Sequence, residues 1–317
     1  MNDTGHRPQR ILLPVAAAAA ILMAACGVPA STPGPAATVA RAPTASSSIP
    51  LSDTGVTLAR NADKTLVILS LDPGRRGGNR VRVDLRDPLG ATVLGSVRVD
   101  LALDGTAVGS STFDAGRTVP LVVPRAGHAE MTVTALDGAA AGASAAFSLD
   151  LPVARPPAGT LAAIDAATSG LRTMRETQAV TAGGPVLHFH FEYLAPDRVH
   201  YTTLLPTGVT DETILIGRDR YDREGSGPWT KSDIGFGSKV PSSDFAPHST
   251  RVRVIGHETV DGQELVGISF VENAAVFYTI WVGAQDHLVR RYEMMTMGHY
   301  MTGSYSGFDA PIVITAP

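Results

Sequence analysis

The sequence predicts a mainly β protein, in which an N-terminal β-sandwich is followed by a long antiparallel sheet that buries one amphipathic helix. Three observations lead to this prediction. Apolar and polar residues alternate with period two in many short segments, which is typical of half-buried strands. Turn residues separate these segments, and the chain holds 32 glycines and 22 prolines. A hydrophobic content of 44% with 18% charged residues indicates a chain with a substantial core.

The first 26 residues have the pattern of an export signal. His6, Arg7 and Arg10 form a short basic lead, and the apolar run 11–25 (ILLPVAAAAAILMAA) ends at Cys26. This run is shorter than the roughly 20 residues that a membrane-spanning helix needs. The segment LMAAC at 22–26 resembles the bacterial lipobox, which implies acylation of the cysteine. We therefore predict a signal peptide over 1–25 and an extracytoplasmic protein anchored to a membrane by lipid on Cys26.

The composition of the rest of the chain excludes several kinds of site and partner. Cys26 is the single cysteine, which excludes an intrachain disulfide and a multi-cysteine metal site. The formal net charge is −4 and no basic stripe is present, so nucleic acid is not an expected partner. Residues 26–50 are almost all Ala, Pro, Ser, Thr, Gly and Val, a composition that predicts a disordered tether.

Residues 51–151 show about seven short strands with Gly, Pro and Asp turns between them, which predicts a β-sandwich. The clearest predicted strands are 65–71, 79–85, 97–103, 118–123, 129–136 and 144–151. The turn RDPLG at 86–90 and the stretch VPRAGHAEMTV at 123–133 resemble the immunoglobulin-like YtkA and copper-resistance-associated domains. This resemblance implies that the sandwich is immunoglobulin-like.

A Pro-rich joint at 151–159 precedes the second predicted domain, 160–317. Thr160 can cap a helix that runs to about Arg175. Three- and four-residue steps place one set of apolar residues on a single helix face, namely Leu161, Ile164, Ala167, Leu171 and Met174. Alternating strands then follow to Ile314, so the apolar helix face has to pack on the concave side of their sheet.

Several segments of this second domain resemble the LolA/LppX-type lipoprotein-carrier fold. They are YLAPDR at 193–198, ILIGRDRYDR at 214–223, GPW at 227–229, VIGHETVDG at 254–262, WVG at 281–283 and HLVRR at 287–291. The resemblance implies a curved antiparallel half-barrel with a helix across its mouth.

Four of the eight methionines lie within residues 294–301. An extended strand would place Met295, Met297, His299 and Met301 on one face. Two interpretations remain open. Thioether and imidazole ligands in such a row suit Cu(I). Alternatively, methionines fill irregular apolar space, and Met295 and Met297 then line a ligand cavity together with Leu161, Ile164, Leu171 and Met174.

His188 and His190 share one face of a predicted strand and form a further candidate metal pair, while Phe189 and Phe191 lie on its other face. The alternative is a solvent-facing polar row opposite a buried aromatic one. The sequence contains no G-x-S-x-G, P-loop or G-x-G-x-x-G motif, so we do not expect an enzyme.

The residues therefore predict a non-enzymatic, membrane-anchored lipoprotein whose half-barrel binds a lipid or other hydrophobic ligand without a cofactor. The alternatives are an extracytoplasmic copper-binding or copper-tolerance protein and a purely structural or interaction module. The identity of the ligand, the presence of a metal and the oligomeric state stay open at this point.

Overall fold

The computed structural model describes residues 54–205, 207–234 and 243–317. The predicted signal peptide 1–25, Cys26 and the tether 26–50 lie outside these residues. The described residues form a mainly β structure, as the sequence predicts, and its antiparallel sheets are not closed into a barrel. They contain nineteen strands and one α-helix.

Eight strands form two four-stranded antiparallel sheets, with the orders β1-β2-β3-β6 and β5-β4-β7-β8. Their bounds are β1 Val56–Ala62, β2 Thr65–Asp72, β3 Gly77–Arg86, β4 Ser96–Leu103, β5 Thr106–Asp114, β6 Thr118–Val123, β7 Gly127–Ala135 and β8 Ser144–Leu151, with a short 3-10 helix at Gly138–Ala140 before β8. Alternate residues of both sheets point into one shared core that includes Val83, Val99, Met131 and Phe147. The two sheets therefore pack face to face as a sandwich.

A third antiparallel sheet of eleven strands follows, which we call the curved sheet. Its helix and strands are α1 Thr160–Ser169, β9 Thr173–Thr181, β10 Leu187–Leu194, β11 Arg198–Leu204, β12 Thr210–Ile216, β13 Asp219–Glu224, β14 Thr230–Asp233, β15 Ser249–Val260, β16 Gln263–Glu272, β17 Val276–Gly283, β18 Val289–Thr296 and β19 His299–Ser306. The strand order is β14-β13-β12-β11-β10-β9-β19-β18-β17-β16-β15. The first and last long strands, β9 and β19, therefore pair at the centre.

The helix is shorter than the sequence predicts. It begins at Thr160, after Gly159 in a left-handed conformation, and ends at Ser169, whereas the prediction extended it to Arg175. Leu171 lies in the connection to β9, and Met174 lies on β9 itself. Gly170 stands at the end of the helix, where its amide donates to Ala166. The two apolar residues that continue the helical spacing past Gly170 therefore lie in a turn and in a strand.

We call the face of the curved sheet that α1 covers the inner face, and the opposite face the outer face. Part of the sandwich packs on the outer face. Ala59 and Leu66 share a buried cluster with Met295 and Tyr300. Arg60 forms an ion pair of 2.9 Å with Glu293 beside this cluster. The contact is thus apolar with a charged pair beside it.

Candidate functional site

The inner face is apolar where α1 covers it. Leu161 and Ile164, one helical turn apart, pack in a cluster of strand residues that includes Ile268, Phe270 and Ile280. The segment forms a helix because it is rich in alanine, a strong helix former. Leu161 and Ile164 are also its two buried residues, so its apolar face points into the sheet.

Asp165 of α1 joins the helix to the segment after residue 242. Its carboxylate accepts hydrogen bonds from the backbone amides of Phe245 (3.0 Å) and Ala246 (2.9 Å). The Phe245 ring then lies 5.0 Å from the Phe270 ring and 5.3 Å from the Tyr278 ring, between ring centroids. This carboxylate therefore positions an aromatic residue over the apolar cluster.

An aromatic wall occupies the inner face of β10 and β11 and consists of Phe189, Phe191, Tyr193 and Tyr201. The rings of Phe189 and Phe191 stack at 5.7 Å, and those of Phe191 and Tyr193 stack at 5.6 Å. Tyr201 on the neighbouring strand lies 5.1 Å from Phe191. Stacked aromatic side chains present a large apolar surface with a fixed shape. Phe191 is half-buried and the other three rings are buried, so the wall is a candidate surface for an apolar ligand that enters beneath the residues covering the inner face.

A buried polar cluster adjoins this wall and consists of Glu176 and Gln178 on β9, Tyr193 on β10 and Tyr292 on β18. The Tyr193 hydroxyl donates to Glu176 Oε2 at 2.7 Å, and the Tyr292 hydroxyl donates to Glu176 Oε1. The Gln178 amide donates to Tyr292 Oη at 2.7 Å and to Glu176 Oε1 at 3.1 Å. Tyr193 therefore belongs to both the aromatic wall and the polar cluster.

A glycine makes this cluster possible. Gln178 on β9, Gly303 on β19 and Tyr292 on β18 lie in one row across three paired strands. A Cβ atom on Gly303 would lie 2.6 Å from the Tyr292 ring and hydroxyl. Because Gly303 has no side chain, the Tyr292 ring crosses β19 and reaches the polar groups of β9.

Burial governs the ionisation of the cluster. It raises the pKa of the Glu176 carboxyl, although the hydrogen bonds from Tyr292, Tyr193 and Gln178 favour the charged form. Burial likewise raises the pKa of Tyr193 and of Tyr305, whose ring stacks on Tyr292 at 5.3 Å. The cluster is therefore a set of neutral phenols around a carboxyl group that is costly to ionise.

The predicted cavity residues do not all lie on the inner face. Leu161 and Ile164 do, and so does Met174, which is 2% exposed and pairs with Tyr193 across β9 and β10. Met295 lies on the outer face against Ala59 and Leu66, because the side chains of adjacent strand residues point to opposite faces. Met297 lies in the β18–β19 turn and is 52% exposed. The structure thus differs from the prediction for both methionines.

The predicted methionine and histidine row is interrupted by a turn. The chain reverses at Met297 and at Gly298, which has a φ of 63°. Met295 consequently pairs with Tyr300 and faces outward, whereas His299 and Met301 face inward. The expectation that Met295, Met297, His299 and Met301 share one face is therefore corrected. His299 and Met301 do stay together, with Nε2 2.8 Å from Sδ.

His188 and His190 are exposed on the outer face, with Phe189 buried between them on the inner face. They border a groove of about 330 Å³ whose other lining residues include Thr177, Ala179, Glu293, Thr302 and Ser304. His188 on β10 and Glu293 on β18 lie in one row across four paired strands. They are therefore three interstrand distances of about 4.8 Å apart. In the described ranges, no group of three or more His, Cys, Asp or Glu side chains is placed to hold a metal ion.

The polar cluster was not predicted from the sequence. Glu176 and Gln178 alternate along β9 with residues that point to the opposite face, and this alternation could have indicated the cluster. The first residues of β9 were instead assigned to the predicted helix. In the part of the chain that the structure covers, no helix is both long and apolar enough to cross a membrane.

The chain resembles solved structures over about half of its length. Lipoprotein LppX from Mycobacterium tuberculosis is 16% identical, with a TM-score of 0.41, and the match covers 50% of this chain and all of LppX. LprF from Mycobacterium bovis is 13% identical (TM-score 0.37), covering 52% of this chain and 99% of LprF. A LolA superfamily protein from Nitrosomonas europaea is 10% identical (TM-score 0.24), covering 50% and 96%.

No family model matches the chain. No curated protein matches it either. Identities of 10–16% and TM-scores below 0.5 are too low to carry a function to this chain. Any function of this chain therefore has to be inferred from its own residues.

Proposed function

We propose that the inner face of the curved sheet binds a hydrophobic ligand, such as a lipid, and that the protein acts by binding and not by catalysis. The observation that carries this proposal is the aromatic wall of Phe189, Phe191, Tyr193 and Tyr201. Apolar surface removed from water contributes about 25 cal/mol per Å². Because Phe189, Tyr193 and Tyr201 are already buried (5–8% exposed), the gain comes from burying the ligand's own apolar surface, and the ligand reaches the rings when the inner face opens.

Binding of a hydrophobic dye tests this proposal with two variants of neighbouring residues. Phe191 is half-buried on the inner face, and His190 next to it is exposed on the outer face. We expect Phe191→Ala to weaken binding of the dye N-phenyl-1-naphthylamine about tenfold, because an aromatic contact worth about 1.4 kcal/mol or more is lost. His190→Ala is the matched control and should bind as the wild type does. Equal loss in both variants, or no dye uptake by the wild type, would contradict the proposal.

We further propose that the protein is exported and held at a membrane by lipid on Cys26. The basic lead, the apolar run and the cysteine of the lipobox-like segment support this part of the proposal. Each buried CH₂ of an acyl chain contributes about 0.8 kcal/mol, so a multiply acylated cysteine holds firmly.

Membrane fractionation of cells that express the full chain tests the anchor. We expect the wild type in the membrane fraction and Cys26→Ser outside it, because serine lacks the thiol that carries the lipid. Metabolic labelling with an alkyne-tagged fatty acid should mark the wild type only. A Cys26→Ser variant that still sediments with membranes and still incorporates the label would rule out this anchor.

A second candidate function is the binding of Cu(I), and one contact favours it. His299 and Met301 lie side by side on the inner face, and Met294 pairs with Met301 from the adjacent strand. Burial lowers the pKa of His299, which favours the neutral imidazole that binds metals. If the Met294 thioether, which accepts a hydrogen bond from Tyr278 at 3.2 Å, turns toward them, the two thioethers and one imidazole form a donor set suited to a soft ion. This set replaces the row that the sequence predicted.

Titration of Cu(I) against a competing chelator tests the second candidate. We expect Met301→Leu and His299→Ala each to weaken Cu(I) binding by roughly tenfold or more, because each removes one of three ligands. Met295→Leu is the control, since Met295 lies on the outer face. Unchanged affinity in Met301→Leu and His299→Ala would exclude this site.

A further inference from the structure

The two polar residues of β9 are unusual on a face that is otherwise apolar and aromatic around them. Glu176 is 4% exposed and Gln178 is 5% exposed. A buried carboxyl or amide group is costly unless hydrogen bonds satisfy it. The cluster is therefore complete only if the protein itself satisfies the hydrogen bonds of both side chains.

The cluster has one acceptor too many. Both oxygens of Glu176 accept hydrogen bonds, from Tyr193, Tyr292 and Gln178. The Gln178 amide nitrogen donates to Glu176 and Tyr292. The Gln178 Oε1 atom is buried and has no hydrogen-bond partner among the described residues. Reversing the amide would place that oxygen against a Glu176 oxygen, which is unfavourable when the carboxyl is ionised.

The cluster also lacks a cationic partner. None of the ion pairs among the described residues involves Glu176, and the groups that face it are the phenols of Tyr193, Tyr292 and Tyr305 together with the Gln178 amide. The cluster is therefore suited to a neutral group that donates a hydrogen bond. Because Gln178 pairs with Phe189 across β9 and β10, such a group would lie beside the Phe189 end of the aromatic wall.

We propose that the hydrophobic ligand carries a hydroxyl group, and that this hydroxyl donates its hydrogen bond to Gln178 Oε1 at the end of the aromatic wall. This inference rests on the proposed ligand-binding function and specifies the ligand class as a hydroxyl-bearing lipid or long-chain alcohol. The apolar chain lies along Phe189 and Phe191, and the hydroxyl satisfies the buried amide oxygen. A ligand without a donor leaves that oxygen unsatisfied, and such sites discriminate strongly against it.

Two matched probes test the inference on the full chain: decan-1-ol and 1-methoxydecane, which has the same apolar chain but no hydrogen-bond donor. Displacement of N-phenyl-1-naphthylamine is the measurement. We expect decan-1-ol to displace the dye from the wild type at a concentration about tenfold lower or more. In Gln178→Met, which keeps the volume but removes the amide oxygen, the two probes should differ less than about twofold. Thr177→Val, on the outer face of the same strand, should keep the wild-type preference.

The outcomes separate this inference from the proposed function. Equal displacement by the two probes in the wild type overturns the hydroxyl assignment while the apolar site stands. A preference that persists in a folded Gln178→Met overturns the role of Gln178. If the dye and both probes fail to bind the wild type, the proposed function and the hydroxyl assignment are both contradicted. The wild-type comparison decides the question even if the Gln178→Met variant does not fold.

Discussion

Replacing Phe270 by alanine is expected to lower the free energy of unfolding of the curved sheet by about 3–5 kcal/mol. The Phe270 side chain is fully buried in the cluster that holds Leu161 and Ile164 of α1. Its ring stacks on Tyr278 and meets Phe245, each at 5.0 Å. The substitution removes apolar contacts within the cluster that holds Leu161 and Ile164. It also leaves a cavity that the rigid rings of Phe245 and Tyr278 cannot fill.

Tryptophan fluorescence during urea unfolding measures this effect in the relevant part of the molecule. Both tryptophans, Trp229 and Trp281, belong to the 160–317 region, and the sandwich holds none. Leu89→Ala is the control, because Leu89 is 91% exposed in the sandwich and surface substitutions usually change stability by about 0.5 kcal/mol or less. A loss below about 1 kcal/mol in Phe270→Ala would show that the cluster is not the core of the curved sheet.

The strands of the sandwich were largely predictable from the sequence. The predicted strands 118–123 and 144–151 coincide with β6 and β8. In β8, buried residues alternate with exposed or half-buried ones along its whole length, so period two is visible in the sequence itself. Strand β5 was missed, because its first five residues are all exposed and its small polar residues show no alternation. Hydrophobic pattern therefore predicts strands only where one face is buried.

The boundary of the helix was not predictable from apolar spacing. Leu171 and Met174 continue the helical period of Leu161 and Ile164, but Met174 points to the inner face from a strand. The helix and β9 both point apolar residues to the inner side of the curved sheet. Apolar spacing alone therefore fits either a continued helix or a strand. Gly170, which ends the helix, was the local signal for the boundary.

The candidate site could be predicted in part. Leu161 and Ile164 were predicted correctly, because their spacing marks one apolar helix face and the sheet that this face covers is apolar as well. The polar cluster was not, since Glu176 and Tyr292 are 116 residues apart and meet only through the β9-β19-β18 pairing. The methionine row was misjudged for a local reason, the reversal of the chain at Gly298. Register across strands cannot be read from spacing within one strand.

Replacing Gly303 by alanine is expected to destabilise the curved sheet by about 2–5 kcal/mol, a large effect for a single added methyl group. The backbone of Gly303 does not require glycine, because its φ is not positive. The added Cβ would instead lie 2.6 Å from the Tyr292 ring and hydroxyl. Tyr292 is 6% exposed, so its ring has to move within a packed core and lose its hydrogen bonds to Glu176 and Gln178.

A double-mutant cycle with Tyr292→Ala separates this clash from a backbone effect, using the same tryptophan-detected unfolding. If the Tyr292 ring is the obstacle, Gly303→Ala costs almost nothing once the ring is gone, and the two changes are strongly non-additive. Gly184→Ala is the control, since a Cβ there meets no atom within 4 Å and its φ is not positive. Additive losses in the cycle would mean that the methyl group acts on the strand itself. In that case the placement of Tyr292 over Gly303, and with it the hydrogen bonding that orients Gln178, would need another explanation.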